Sequence, residues 1–116
     1  MSAVTTHILD TALGKPAAGV SVSLAMMGSN DAWIGLAQAA TDADGRIRAF
    51  LSPGQTLGAG TYRLRFDTGP YHAARGVAGG GFFPFVDVVF EIKAAGRHFH
   101  VPLLLSPFGY STYRGS

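Results

Sequence analysis

A chain of 116 residues with 47% hydrophobic content fits one packed domain and excludes a disordered chain. A formal net charge of +2 is too weak for a nucleic-acid footprint, and no run approaches the ~20 apolar residues that span a bilayer. Cysteine is absent, which removes disulfides, thiolate nucleophiles and cysteine metal ligands together.

The opening Met1-Ser2-Ala3-Val4-Thr5-Thr6-His7 lacks the basic segment and apolar stretch of a secretory signal, so the cytoplasm is the expected location. Residues 4–9 are largely apolar and threonine-rich and read as a strand, after which Asp10, Gly14 and Pro16 supply turn chemistry. Val20, Val22 and Leu24 alternate with Ser21 and Ser23, the period of a half-buried strand. A loop at residues 28–31 precedes a strand expected over residues 33–40. Thr41-Asp42-Ala43-Asp44-Gly45-Arg46 is a strong turn signal, with Gly45 placed where a positive φ is cheap. Residues 52–60, rich in Gly and Pro, read as loop.

Tyr62, Leu64 and Phe66 alternate with Arg63, Arg65 and Asp67, the clearest one-face strand in the chain. Residues 70–78 predict a short helix, weakened by Gly76 and ended by Gly79-Gly80-Gly81. Residues 85–93 and 97–105 flank Ala94-Ala95-Gly96 and predict a hairpin. The run Phe82-Phe83-Pro84-Phe85-Val86 is more apolar than a one-sided strand requires and predicts a strand covered on both faces, by a partner subunit. Pro102 lacks the N–H that a ladder uses, so it belongs at a sheet edge or bulge. Short strands and turns at this spacing favour a mainly β fold over residues 1–116, a single β-sandwich domain with one short helix and no internal repeat.

Chemistry centres on His7, His72, His98 and His100. In an extended strand His98 and His100 point to one face, where they could bind zinc with His7 as third ligand. Against zinc, the single Glu is not near the pair in sequence and nothing else resembles a ligand motif. A second reading is a metal-free hydrolase, in which a neutral His activates water and an Arg holds an anion or a developing oxyanion. No Gly-x-Ser-x-Gly elbow is present, so direct attack by water is preferred to covalent catalysis. The plain alternative is a set of partly exposed histidines without chemistry, and spacing does not decide among the three.

Three segments in order carry a resemblance. Thr6-His7-Ile8-Leu9-Asp10-Thr11 with Gly14-Lys15-Pro16-Ala17 opens the chain, and Thr41-Asp42-Ala43-Asp44-Gly45-Arg46 follows. The third is the C-terminal His98-Phe99-His100-Val101-Pro102 continuing to Tyr113-Arg114-Gly115-Ser116. Together they resemble the 5-hydroxyisourate hydrolases of the transthyretin-like family, whose terminal Tyr-Arg-Gly-Ser separates them from hormone-carrying transthyretins. The resemblance implies a transthyretin-like (prealbumin-like) β-sandwich and a homotetramer, a dimer of dimers with active sites in a central channel. It implies 5-hydroxyisourate as the small-molecule substrate, opened by water at a C–N bond to 2-oxo-4-hydroxy-4-carboxy-5-ureidoimidazoline. No metal, organic cofactor, nucleic acid or membrane partner is expected.

Carried over by motif, the catalytic set is His7, Arg46, His100 and Ser116, with Tyr113, Arg114 and Gly115 joining His7, Arg46 and His100 in substrate binding. His100, with His7 nearby, is expected to polarise and deprotonate water, and Arg46 to hold the anionic ring. Tyr113, Arg114, Gly115 and Ser116 form the pocket floor in this reading. His98 is expected to support or orient rather than react. Phe99 departs from the Tyr common between the two histidines. A transthyretin-like carrier of a small aromatic ligand is the competing function, and it predicts loss of His7, Arg46 or the Tyr113–Ser116 tail. A purely structural sandwich using the apolar run at residues 82–86 is a third.

Overall fold

The computed structural model describes residues 3–95 and 98–115. Strand β1 (Val4–Asp10) alternates along its length, sending Val4, Thr6, Ile8 and Asp10 inward and Thr5, His7 and Leu9 to the opposite face. It pairs antiparallel with β2 (Lys15–Pro16) and with β5 (Arg46–Ile47), and parallel with β8 (Phe99–Ser106). β9 (Gly109–Thr112) closes this first sheet against β8. The second sheet has the order β4 (Trp33–Ala40), β3 (Ser21–Met27), β6 (Gly60–Phe66) and β7 (Val86–Ile92), all antiparallel. Helix α1 (Thr68–Ala74) lies in the connection from β6 to β7.

Inward residues of both sheets share one core, with Ile8, Leu24, Leu64, Phe66, Ile92 and Leu103 among its best-covered members. Each such side chain stabilises the fold by about 1.5–3 kcal/mol relative to exposure. Polar groups at the core's edge are matched. The Tyr62 hydroxyl donates to the Gly58 carbonyl at 2.8 Å, and that of Tyr71 donates to Asp10 Oδ2 at 2.8 Å. Asp10 Oδ1 accepts from the N–H groups of Ala12 and Leu13, so one buried carboxylate joins α1, β1 and the following turn.

Four expectations need correction. The stretches around residues 94–96 are no hairpin: β7 pairs with β6 in one sheet and β8 with β1 and β9 in the other, so the connection crosses between sheets. Both edges of β8 are already taken. Gly96 lies outside the described residues.

The run at residues 82–86 is not a strand along its length, because the strand begins only at Val86, and in the single subunit Phe82 is 70% exposed. Pro84 has no N–H to give a ladder, and its carbonyl accepts instead from Gly69 N–H at 3.0 Å.

Pro102 is on neither edge, since β8 runs between β1 and β9. It stands where the β9 ladder breaks, between Leu103 opposite Thr112 and the isolated bridge of His100 with Gly115, and its carbonyl accepts from Thr112 Oγ1 at 2.7 Å. The helix also starts earlier and ends sooner than expected. Pro70 is harmless in a first turn, whose N–H groups have no partner in the helix. Gly76, at φ 79°, ends it in the left-handed conformation while Val77 N–H returns to the His72 carbonyl at 3.0 Å. Among the described residues no helix is long and apolar enough to cross a membrane.

Candidate active site

The site is assembled by strand register on the outer face of the first sheet. His7 stands directly opposite Arg46, and Thr5 directly opposite His100. Registered partners share a face, and so do residues two apart on one strand, so Thr5, His7, Arg46 and His100 all project the same way. His7, Arg46 and His100 are each half-buried.

Arg46 owes its place to the turn before it. Asp42 Oδ1 accepts from the N–H groups of Asp44 (2.9 Å) and Arg46 (3.0 Å), and Gly45 turns the chain at φ 73°. The Gly45 carbonyl then accepts from Ile8 N–H at 2.8 Å, locking the turn onto β1. A Cβ on Gly45 would come within 2.6 Å of the Ile8 carbonyl oxygen, so close approach and φ both demand glycine.

His100 is held from two sides. Thr5 Oγ1 lies 2.8 Å from its Nδ1 and 2.9 Å from Nε2 of His98, whose ring stacks on that of His100 at 6.5 Å. From the other side Gly115 N–H donates to the His100 carbonyl at 2.8 Å. The tail is therefore not frayed at this point. Arg114 lies 4.9 Å over the buried Phe99 ring, and Tyr113 is exposed. Ser116 lies outside the described residues, so the structure says nothing of its expected role. Thr5 and Gly115 are the contacts that residue types alone did not disclose as partners of His100. Thr5 carried a signal, being two residues from His7 on the same strand.

Both site histidines ionise below the ordinary imidazole value of 6.5. For His7 burial is the main cause and the Arg46 guanidinium the next, with the Asp44 backbone carbonyl acting the other way. For His100 burial again leads, followed by Arg46 and then by His98 and His7. Two imidazoles held neutral beside a fixed cation can take a proton from water while the cation receives negative charge. Among the described residues no three His, Asp or Glu side chains converge on a common point, so the suggested zinc pair lacks its third ligand there. His72 is buried in α1, edge-on to Tyr71 and away from this face.

Residues 4–115 match the HIUase/Transthyretin family. The chain belongs to that family. Its HIUase/Transthyretin relatives include the 5-hydroxyisourate hydrolase of Caulobacter vibrioides, 51% identical with all of both chains covered. That of Mus musculus is 47% identical, over 99% of this chain and 96% of its own. Among solved structures, the 5-hydroxyisourate hydrolase of Klebsiella pneumoniae is 43% identical with a TM-score of 0.82, covering 99% of this chain and all of its own. A sea bream transthyretin in complex with thyroxine is 34% identical with a TM-score of 0.89, covering 98% of this chain and 95% of its own. Backbone likeness thus does not separate hydrolase from carrier within the HIUase/Transthyretin family. The side chains on the His7 face have to.

Proposed function

We propose that this chain hydrolyses 5-hydroxyisourate. The observation that carries the reading is the convergence of His7, Arg46 and His100 on one sheet face with both imidazoles biased toward neutrality. Water attacks a ring carbonyl and gives up its proton to His100, with His7 beside it. The carbonyl π electrons move onto oxygen, where Arg46 stabilises the charge. As the carbonyl re-forms, the C–N bond breaks and the imidazolium returns its proton to the leaving nitrogen, giving 2-oxo-4-hydroxy-4-carboxy-5-ureidoimidazoline. General-base help of this kind commonly contributes ~10²–10⁴-fold. Tyr113, Arg114, Gly115 and Ser116 form the pocket floor in this proposal, with Ser116 near the substrate.

The same proposal includes a homotetramer with paired dimers and a cytoplasmic location. Exposed Phe85, Val89, Phe108 and Tyr110 support assembly, since scattered burial in a single subunit leaves these large apolar groups in water. Sedimentation of the purified protein tests the tetramer, and fractionation of expressing cells tests the location.

The reaction is tested by the ultraviolet decay of freshly made 5-hydroxyisourate with and without the protein. A large acceleration that disappears in His100→Ala supports hydrolysis at this site. No acceleration by folded protein would overturn it in favour of a carrier, and binding of a small aromatic ligand would then be measured.

A further inference from the structure

We infer that Thr5 and His98 form a positioning pair that decides which nitrogen of His100 carries its proton. The inference rests on the hydrolase reading for its purpose, but its geometry stands alone. The two adjacent threonines of β1 use their hydroxyls differently. Thr6 Oγ1 donates to the Val101 carbonyl at 2.6 Å, an ordinary strand-to-strand tie. Thr5 Oγ1 lies within 2.9 Å of Nε2 of His98 and within 2.8 Å of Nδ1 of His100. A hydroxyl has one proton, so it can donate to only one of those nitrogens, and any bond with the other must be donated by an imidazole N–H.

Two head-to-tail chains satisfy all three groups. In the first, His100 Nδ1–H donates to Thr5 and the Thr5 hydroxyl donates to His98 Nε2. His100 Nε2 then keeps a free lone pair. In the reverse chain His98 donates to Thr5, Thr5 donates to His100 Nδ1, and His100 Nε2 carries the proton and cannot accept one.

The backbone of Thr5 selects between them. Its carbonyl, which can only accept, also takes a hydrogen bond from the His100 ring, and the nitrogen turned toward Thr5 is Nδ1, so an N–H is called for there. The first chain is therefore favoured, and hydrogen bonds aligned in one direction strengthen one another. His98 is exposed, just before β8, and water can serve its other nitrogen in either arrangement. It reaches His100 through Thr5 and through the stacked rings, and it touches no substrate atom in this scheme.

Imidazole ¹⁵N spectra of histidine-labelled protein, recorded without substrate and above the acid limb of activity, read the tautomer directly. The wild-type protein should show His100 protonated on Nδ1, the resonance being assigned by its loss in His100→Gln. Thr5→Val, close in shape, should leave a mixture and lower kcat by about ten- to a hundredfold with KM within about twofold. Thr5→Ser should restore both tautomer and kcat. His98→Ala, at an exposed position, frees the Thr5 proton to turn to His100 Nδ1 and should raise the Nε2-protonated population.

A wild-type His100 protonated on Nε2 would overturn the inference. So would a tautomer and kcat indifferent to both Thr5→Val and His98→Ala. Since the spectra need no substrate, failure of the hydrolase assignment would show separately, as wild-type protein without activity on 5-hydroxyisourate.

Discussion

A side chain on Gly115 has no room, because its Cβ would come within 2.6 Å of Cδ2 of His100. The imidazole cannot retreat freely, since its Nδ1 is held at 2.8 Å by Thr5 Oγ1. Gly115→Ala must rotate the ring off Thr5 or lift the tail off the bridge to His100. Either displacement should lower turnover at least about tenfold, as misplacement of a working group does. The tail is peripheral to the core, so the melting temperature should hardly move. Steady-state kinetics beside a thermal melt check the pair of outcomes.

The lowered ionisation of His7 and His100 has a defined sign. Activity that requires neutral imidazole should persist through pH 6.5 and fall only on its acid side. Arg46→Met removes a cation that depresses both groups, so the acid limb of kcat/KM should move to higher pH as its height falls. Stability follows the same linkage. The unfolded chain binds these protons first, so the two histidines make folding less favourable as pH drops from 6.5 toward their folded values. A profile of kcat/KM in which Arg46→Met left the limb in place would contradict this.

Gly45→Ala should be harmful beyond its location in an exposed turn. Its φ of 73° and the 2.6 Å approach to the Ile8 carbonyl oxygen act together. A loss of roughly 1–3 kcal/mol in urea unfolding is expected. Turnover should fall with it, because Arg46 is the next residue and its pairing with His7 depends on the same turn.

Tyr71→Phe separates fold from chemistry. It removes the phenol that donates to buried Asp10, leaving Arg75 4.0 Å from the same oxygen. Stability should drop by about 1–3 kcal/mol with turnover unchanged, since Asp10 faces the core and not the His7 side. In the intact protein burial, and then the bond to Asp10, push the Tyr71 phenol up to about 12 from 10.0. Its contribution to stability is therefore complete below pH 10 and is lost as pH climbs toward 12. Burial raises the Tyr62 phenol as well, so an absorbance titration should show late-ionising tyrosine absorbance, with the Tyr71 share identified by its loss in Tyr71→Phe.

The local elements were readable because they have local causes. Alternation marked β6, and Asp42 with Gly45 marked the turn before Arg46. Sheet membership was not, since a hairpin turn and a crossing between sheets use the same residue types, which is why the link from β7 to β8 was misread. Pro70 disguised the helix start for a similar reason, being as acceptable in a first turn as outside one. The proposed catalytic set came from resemblance rather than spacing. His7, Arg46 and His100 meet only through cross-strand register, which no interval along the chain encodes. Thr5 shares that dependence, although its place two residues before His7 already put it on the correct face.

The parallel pairing of β1 with β8 makes the proposed active site a late event in the life of each molecule. Thr5 and His100 are 95 positions apart, so at ~5–20 residues per second the ribosome makes the second roughly 5–20 s after the first. During that interval β3 and β4 can pair with each other, while β1 waits without its parallel partner. Contacts this distant in sequence also slow folding, because the intervening loop must close before they form. The moment a new chain becomes competent is set by the arrival of β8, and any pause near the end of translation lengthens the exposure of β1.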